Sequence, residues 1–144
     1  MKTIGELLTG REVLTLGPGA SAADAARAMT DHHVGAVLIA APDGQPLGIF
    51  TERDLMKRVV VVGADPAGVQ LGDLMTSELF MATSDQTVTE VAQAMQDRHI
   101  RHLPVVDAKD HVMGLLSLRD LLREHLRIKA EEVQALTDYI QGAE

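Results

Sequence analysis

The chain has no cysteine and no tryptophan, and its aromatic residues are limited to Phe50, Phe80 and Tyr139. Without thiols there can be no disulfide, no thiolate metal site and no cysteine nucleophile, and such a composition fits a reducing cytoplasm. No apolar run approaches the roughly 18 residues that a membrane span needs. The opening MKTIGELLTGREV has no apolar signal-peptide core followed by a small-residue cleavage site. Positive charge is scarce as well, with 13 Lys+Arg against 21 Asp+Glu and a formal net charge of −8. An acidic chain without basic tracts or stacking platforms is a poor match for nucleic-acid polymers. A mononucleotide, needing only a few donors and one or two local cations, is still admissible. The expectation is a cytoplasmic protein with no membrane and no polynucleotide partner.

What is present is aliphatic and duplicated. The 144 residues suit one compact domain or two small halves sharing a core, which must be built from Val, Leu, Ile, Ala and Met. Gly48–Leu55 (GIFTERDL) returns 66 residues later as Gly114–Leu121 (GLLSLRDL). The same offset aligns Ala28, Met29, Asp31 and His33 with Ala94, Met95, Asp97 and His99. Upstream, Ile4–Thr9 matches Leu71–Thr76 at an offset of 67, so one residue was gained or lost between. Fixed-offset similarity of this kind indicates an internal repeat.

Both copies carry the same periodicities. Ser21 and the stretch Asp85 to Thr87 offer N-cap oxygens. Helical stripes follow them, Ala22, Ala25, Ala26 and Met29, then Val88, Val91, Ala92 and Met95. Apolar runs at 36–40 and 103–106 read as buried strands. The turn signals 42–44 and 107–110 lead to second strands at 47–50 and 112–116. Turns this short make antiparallel hairpins, and a helix begins near Thr51 and Ser117. Each unit is therefore a short strand–helix–strand–strand–helix, and the fold class is α+β. Two such units can bury their apolar sheet faces against each other about a pseudo-twofold axis. A long C-terminal helix is expected from Leu118 to about Ile140. Its stripe, Leu122, Leu126, Lys129, Val133, Leu136 and Ile140, is heptad-like. The segments are 1–62, first motif with its lead-in; 63–78, linker and second lead-in; 79–126, second motif; and 127–144, helical extension.

The repeated Gly-x-x-Thr/Ser-x-Arg-Asp carries two readings. In one, Thr51 and Ser117 are N-caps, and Asp54 and Asp120 complement the helix dipole. In the other, Gly114 lets the strand approach a ligand, while Ser117 and the helix N–H groups meet a phosphate. Asp120, in the first turn, then accepts from a ribose diol, and Arg119 supplies local charge. The histidines His32, His33, His99 and His102 fall in the aligned region, but His32 and His33 point apart on a helix, so no metal is expected. His33 and His99 end equivalent helices. A Ser117–His102–Asp120 triad can be drawn, but no nucleophile elbow accompanies it, and no catalytic residues are expected.

Taken together, Asp73–Thr76, Ile100–Val106 and the two Gly-x-x-Thr/Ser-x-Arg-Asp ends resemble a tandem pair of cystathionine-β-synthase (CBS) domains, a Bateman module. Thr51–Asp54 and Tyr139–Gly142 look most like small stand-alone CBS-pair proteins of bacteria and plant organelles. The resemblance implies ligand sites in the cleft between copies. The first would combine Ser117, Arg119, Asp120, Arg101 and His102 with Thr9, Leu14, Val34, Gly35 and Ala36. The second would combine Thr51, Arg53 and Asp54 with Thr76, Phe80 and the backbone at Ile100. The positions aligned with Arg101 and His102 are Gly35 and Ala36, so the Asp120 site is the better phosphate site. The implied function is a homodimeric sensor of AMP, ADP, ATP or NAD(H) that regulates a protein partner. The alternative is an interaction module with a vestigial cleft.

Overall fold

The computed structural model describes residues 2–142. Two three-stranded sheets form, each with a parallel pair followed by an antiparallel hairpin. In the first copy β1 (Thr15–Leu16) pairs with β2 (Ala36–Ala40), which pairs with β3 (Pro46–Thr51). The second repeats this with β4 (Ala82–Thr83), β5 (His102–Val106) and β6 (Val112–Ser117). Even the irregularity is copied: the register shifts at Ile39/Ala40 and again at Val105/Val106.

The long helices α2 (Ala22–His32) and α5 (Val88–Arg98) each lie between a short strand and its hairpin. Ser21 caps α2 in a reciprocal capping box with Asp24, and Thr87 caps α5 through the Glu90 N–H. Both end on a histidine in the left-handed region, His33 at φ 53° and His99 at φ 55°. At each end it is the histidine backbone N–H that bonds the preceding turn's carbonyls.

The two short lead-in helices exchange places. α1 (Ile4–Leu8) belongs to the first copy by sequence, but Ile4 and Leu8 are buried in the second copy's core with Val91, Met95, Leu103 and Leu121. α4 (Leu71–Leu74) does the reverse, placing Leu71 with Ala25, Val37 and Phe50. Matching backbone bonds fix both: Ile4 N–H donates to Gln86 O and Leu71 N–H to Ala20 O, each at 2.9 Å. The domain segments drawn at 62, 78 and 126 are therefore stitched by packing that crosses their boundaries. A third cluster, Ala36, Leu38 and Ile49 with Val13, Leu79, Val112 and Leu115, joins the sheets to each other.

The copies differ at their last helices. α3 (Glu52–Leu55) passes into a π-helical turn at Met56–Val60 and stops, whereas α6 runs unbroken over Leu118–Gly142. Among the described residues no helix is long and apolar enough to cross a membrane.

Candidate functional site

The repeated motif folds into the same hydrogen-bonded turn twice. Ser117 N–H and Oγ both donate to Asp120 Oδ2, each at 2.9 Å, while Asp120 N–H returns a 3.1 Å bond to Ser117 Oγ. Thr51 and Asp54 repeat the arrangement at 3.0, 3.0 and 3.1 Å. The strand that delivers each turn is anchored beyond it, because Leu118 N–H donates to Arg101 O at 2.8 Å and Glu52 N–H to Gly35 O at 3.0 Å. The capping reading is thus satisfied in both copies, and it fixes each aspartate rigidly at the first turn of its helix.

Around Asp120 this turn gathers charge. Arg11 Nη1 lies 3.0 Å from Asp120 Oδ1. Burial by itself would raise the Asp120 pKa. The Ser117 donors and the Arg11 guanidinium more than offset it and hold the carboxyl below its ordinary range. His102, next to Arg101 at the start of β5, is pushed the other way: burial lowers its pKa, Glu52 and Asp120 oppose that, and Arg101 and Arg119 reinforce it. A Cβ placed on Gly35 would lie 3.2 Å from Glu52 Oε1 and 3.5 Å from His102 Nε2, so the two copies meet closely here. Gly35, Glu52, Arg101, His102, Arg119 and Asp120 therefore form one polar cluster at the junction of the copies.

The other residues of the expected first site have local partners. Thr9 Oγ1 donates back to Gly5 O at 3.0 Å. Leu14 packs into the first copy's core, and its carbonyl accepts from Leu38 N–H. Val34 is exposed, with its N–H bonded to Met29 O, and Ala36 is buried between the sheets. At the mirror site Asp54 meets Arg58 Nε of its own helix at 3.7 Å, and Arg53 is exposed. Thr76 exchanges backbone bonds with Ile49 at 2.9 and 3.0 Å. Phe80 and Ile100 pack on the second copy's core, and the Arg98 guanidinium stacks 3.9 Å from the Phe80 ring centroid.

The two motif glycines differ in their surroundings: a Cβ on Gly48 would meet Met75 Sδ at 2.5 Å and Thr76 O at 2.9 Å, whereas one on Gly114 would make only ordinary contact with Leu8 at 3.8 Å. The Ser117 hydroxyl donates to Asp120 directly, and other side-chain donors gathered near this turn are Arg101, Arg119 and His102. Among the described residues no group of three or more His, Cys, Asp or Glu could hold a metal.

The sequence reading passed over Arg11, Glu52 and a cavity. Arg11 sits where the lead-ins need a one-residue gap to align, and Glu52 falls opposite the apolar Leu118, a mismatch that could have marked it. The cavity, of about 630 Å³, is lined by Val13, Thr15, Leu38 and Val112, with Asp110 and His111 on its rim. It does not touch Asp120. β6 links the two, with Val112 at the cavity and Ser117 at the carboxylate, about 17 Å apart at ordinary strand rise. The crossing segment from α1 to β1 forms the other wall, with Arg11 at one end and Val13 and Thr15 at the other.

This architecture has known counterparts. The CBS domain family matches residues 4–61 and 71–127. The mitochondrial CBS domain-containing protein CBSX3 of Arabidopsis thaliana is 38% identical over 123 residues, 83% of this chain and 59% of that protein. An uncharacterized protein of Methanopyrus kandleri is 35% identical over 121 residues, 84% of this chain and 61% of that one. The chain thus spans about three fifths of both relatives. A solved CBS-domain protein of Agrobacterium tumefaciens is 33% identical with a TM-score of 0.77, covering 85% of this chain and 98% of its own. More distant structures share the fold. CBSX2 in complex with AMP is 23% identical (TM-score 0.73; 90% of this chain, 99% of that one). The CBS pair of protein MJ0100 with 5-methylthioadenosine and S-adenosyl-L-methionine is 24% identical (TM-score 0.76; 87% and 96%). With a duplicated core, exchanged lead-ins and the same motif closing both copies, the chain belongs to the CBS-domain family as a tandem pair.

Proposed function

We propose that the chain is an adenosine-ligand sensor, with its principal site at Asp120, that works as a homodimer on a protein partner. The observation that carries this is the Asp120 carboxylate. It is ionised, held by two bonds from Ser117 in one orientation, and set beside Arg101, His102 and Arg119. A fixed carboxylate next to cations suits a ribose diol followed by a 5′-phosphate, because the carboxylate repels phosphate and the cations attract it. Support comes also from the two distant neighbours that hold AMP or adenosyl compounds. AMP, ADP, ATP and NAD(H) all present this pair of groups. Asp54 has the same turn, but Gly35 and Ala36 stand where Arg101 and His102 stand in the second copy, which suits an end without phosphate.

Titration calorimetry with AMP, ADP, ATP, NAD(H) and S-adenosylmethionine tests the reading. At least one should bind and raise the melting temperature, since a ligand specific for the native state stabilises it. Asp120→Asn should weaken that ligand by tenfold or more, an estimate set by loss of a charged hydrogen-bond acceptor, about 1.5–3 kcal/mol. One observation favours the alternative of an unused cleft: both aspartates have protein partners without any ligand. Absence of binding by all five compounds at millimolar concentration selects that alternative.

A further inference from the structure

Among the described residues Arg11 is the cation paired with Asp120, it comes from the other copy by sequence, and it holds the oxygen a ribose would need. Asp120 Oδ2 already accepts two bonds from Ser117, which fills its two lone pairs. Oδ1 has two, and Arg11 Nη1 occupies one at 3.0 Å. A diol brings two donors, so one protein donor must leave. Ser117 cannot yield cheaply, because its bonds to Asp120 are also the cap of α6. Arg11 makes a single contact from a long side chain that is 42% exposed, so it is the one displaced.

The second copy has no local substitute. Asp54 is met by Arg58 one helical turn along its own helix, but the position equivalent to Arg58 is Glu124, whose carboxylate is bound by Arg127. Asp120 therefore takes its counter-charge from the segment that crosses between the copies. In the second crossing segment the counterparts of Arg11 are Ser77 and Glu78, so only one of the two sites is closed in this way.

We propose that Arg11 is a displaceable latch on Asp120 that sets the preference for phosphorylated ligands: the ribose diol takes its place on the carboxylate, and the released guanidinium pairs with the ligand's phosphate. The inference rests on the adenosine-ligand reading above. Adenosine breaks the Arg11–Asp120 pair and returns nothing to the arginine. AMP breaks the same pair and offers a dianion that a guanidinium can grip with two parallel bonds. Because Arg11 lies on the segment joining α1, docked on the second copy, to β1 of the first, its transfer also reports occupancy to the connection between the copies.

The test is calorimetric titration of AMP and of adenosine into the wild type, Arg11→Met and Arg11→Lys at one ionic strength, with melting curves to show that each variant is folded. In Arg11→Met, adenosine should bind several-fold more tightly and AMP more weakly, lowering the AMP-over-adenosine preference by about tenfold or more, the scale of one charge-assisted bond. Arg11→Lys, which keeps the charge without the fork, should fall between the two. If the wild type binds AMP and Arg11→Met keeps the preference within about twofold, the latch is overturned and the site stands. If neither protein binds either ligand, the latch is overturned, and the adenosine-ligand reading fails with it when ADP, ATP, NAD(H) and S-adenosylmethionine do not bind the wild type either. The two failures are therefore distinct.

Discussion

His102 is the residue whose charge the environment leaves most open to a ligand. Burial keeps its imidazole neutral below the pH at which a free histidine would protonate, and the four charged groups that bear on it, Glu52, Asp120, Arg101 and Arg119, pull in both directions. The unfolded chain therefore takes up this proton before the folded one does. The histidine's contribution to stability is present above the ordinary imidazole value and is lost as pH falls through the depressed one. A bound phosphate reverses the preference, because an anion beside the ring favours the imidazolium. AMP binding should then tighten as pH falls from 8 to 6 and take up protons, seen as a buffer-dependent calorimetric enthalpy. The phosphate's own titration near pH 6 acts in the opposite direction, so the comparison that decides is with His102→Asn, which should lose the proton uptake. Equal uptake in both proteins would remove His102 from the site. Asp120 needs no such adjustment, since Ser117 and Arg11 keep it ionised across this range.

At the level of elements, the exchanged lead-ins matter most, since each ties one copy to the other. Their seats have no slack. The Gly48 Cα is closed in by Met75 and the Thr76 carbonyl, and Thr76 pairs with Ile49 in both directions. Met75 can swing aside, but the backbone carbonyl cannot without breaking that pairing. Gly48→Ala should therefore destabilise the protein by about 1–3 kcal/mol, the usual range for overpacking a filled site, read as a lower urea midpoint. Adding Met75→Ala should restore part of the loss and not all of it. A Gly48→Ala midpoint equal to that of the wild type would mean that α4 does not sit this closely on β3.

At the level of the whole molecule, the second half of α6 leaves the body of the protein. Val133, Leu136, Tyr139 and Ile140 are between 53% and 75% exposed, and the stripe continues back through Leu122 and Leu126. Their counterparts in the first copy, Met56 and Val60, are exposed too. The helix is also polar in charge: its first half carries Arg119, Arg123, Arg127 and Lys129 against Asp120 and Glu124, and its second half carries Glu131, Glu132 and Asp138. Two α6 helices laid antiparallel would cover the apolar stripe and set each acidic half against a basic one, which is why the proposed dimer uses this helix. Light scattering should give twice the mass of one chain, and Leu136→Asp with Val133→Asp should give a single chain with its helical signal reduced. A monomeric wild type would sink this arrangement and leave the nucleotide site unaffected.

The duplication, the fold class, the hairpins and both capping turns could be read from the sequence because they are local: periodicity and N-cap chemistry act within a few residues, and the 66-residue offset displays each twice. Strand limits of 36–40 and 112–116 differ from those found by a residue at most. The candidate site was legible in part. Ser117, Asp120, Arg101 and His102 are joined by one hairpin, so their proximity follows from local pairing. Arg11 reaches Asp120 only through the crossing of the lead-in onto the other copy. That contact depends on packing between residues far apart in the chain, and no periodicity encodes it. The same holds for the glycines: a motif shows that a side chain is unwelcome at Gly48, but only the docking of α4 shows that the space is filled by Met75 and Thr76. Sequence alone determined two matching turns with matching aspartates, and Arg101 and His102 beside the second of them only. Tertiary structure decided their counter-charges, because the charge that balances Asp54 comes from its own helix and the charge that balances Asp120 comes from across the molecule.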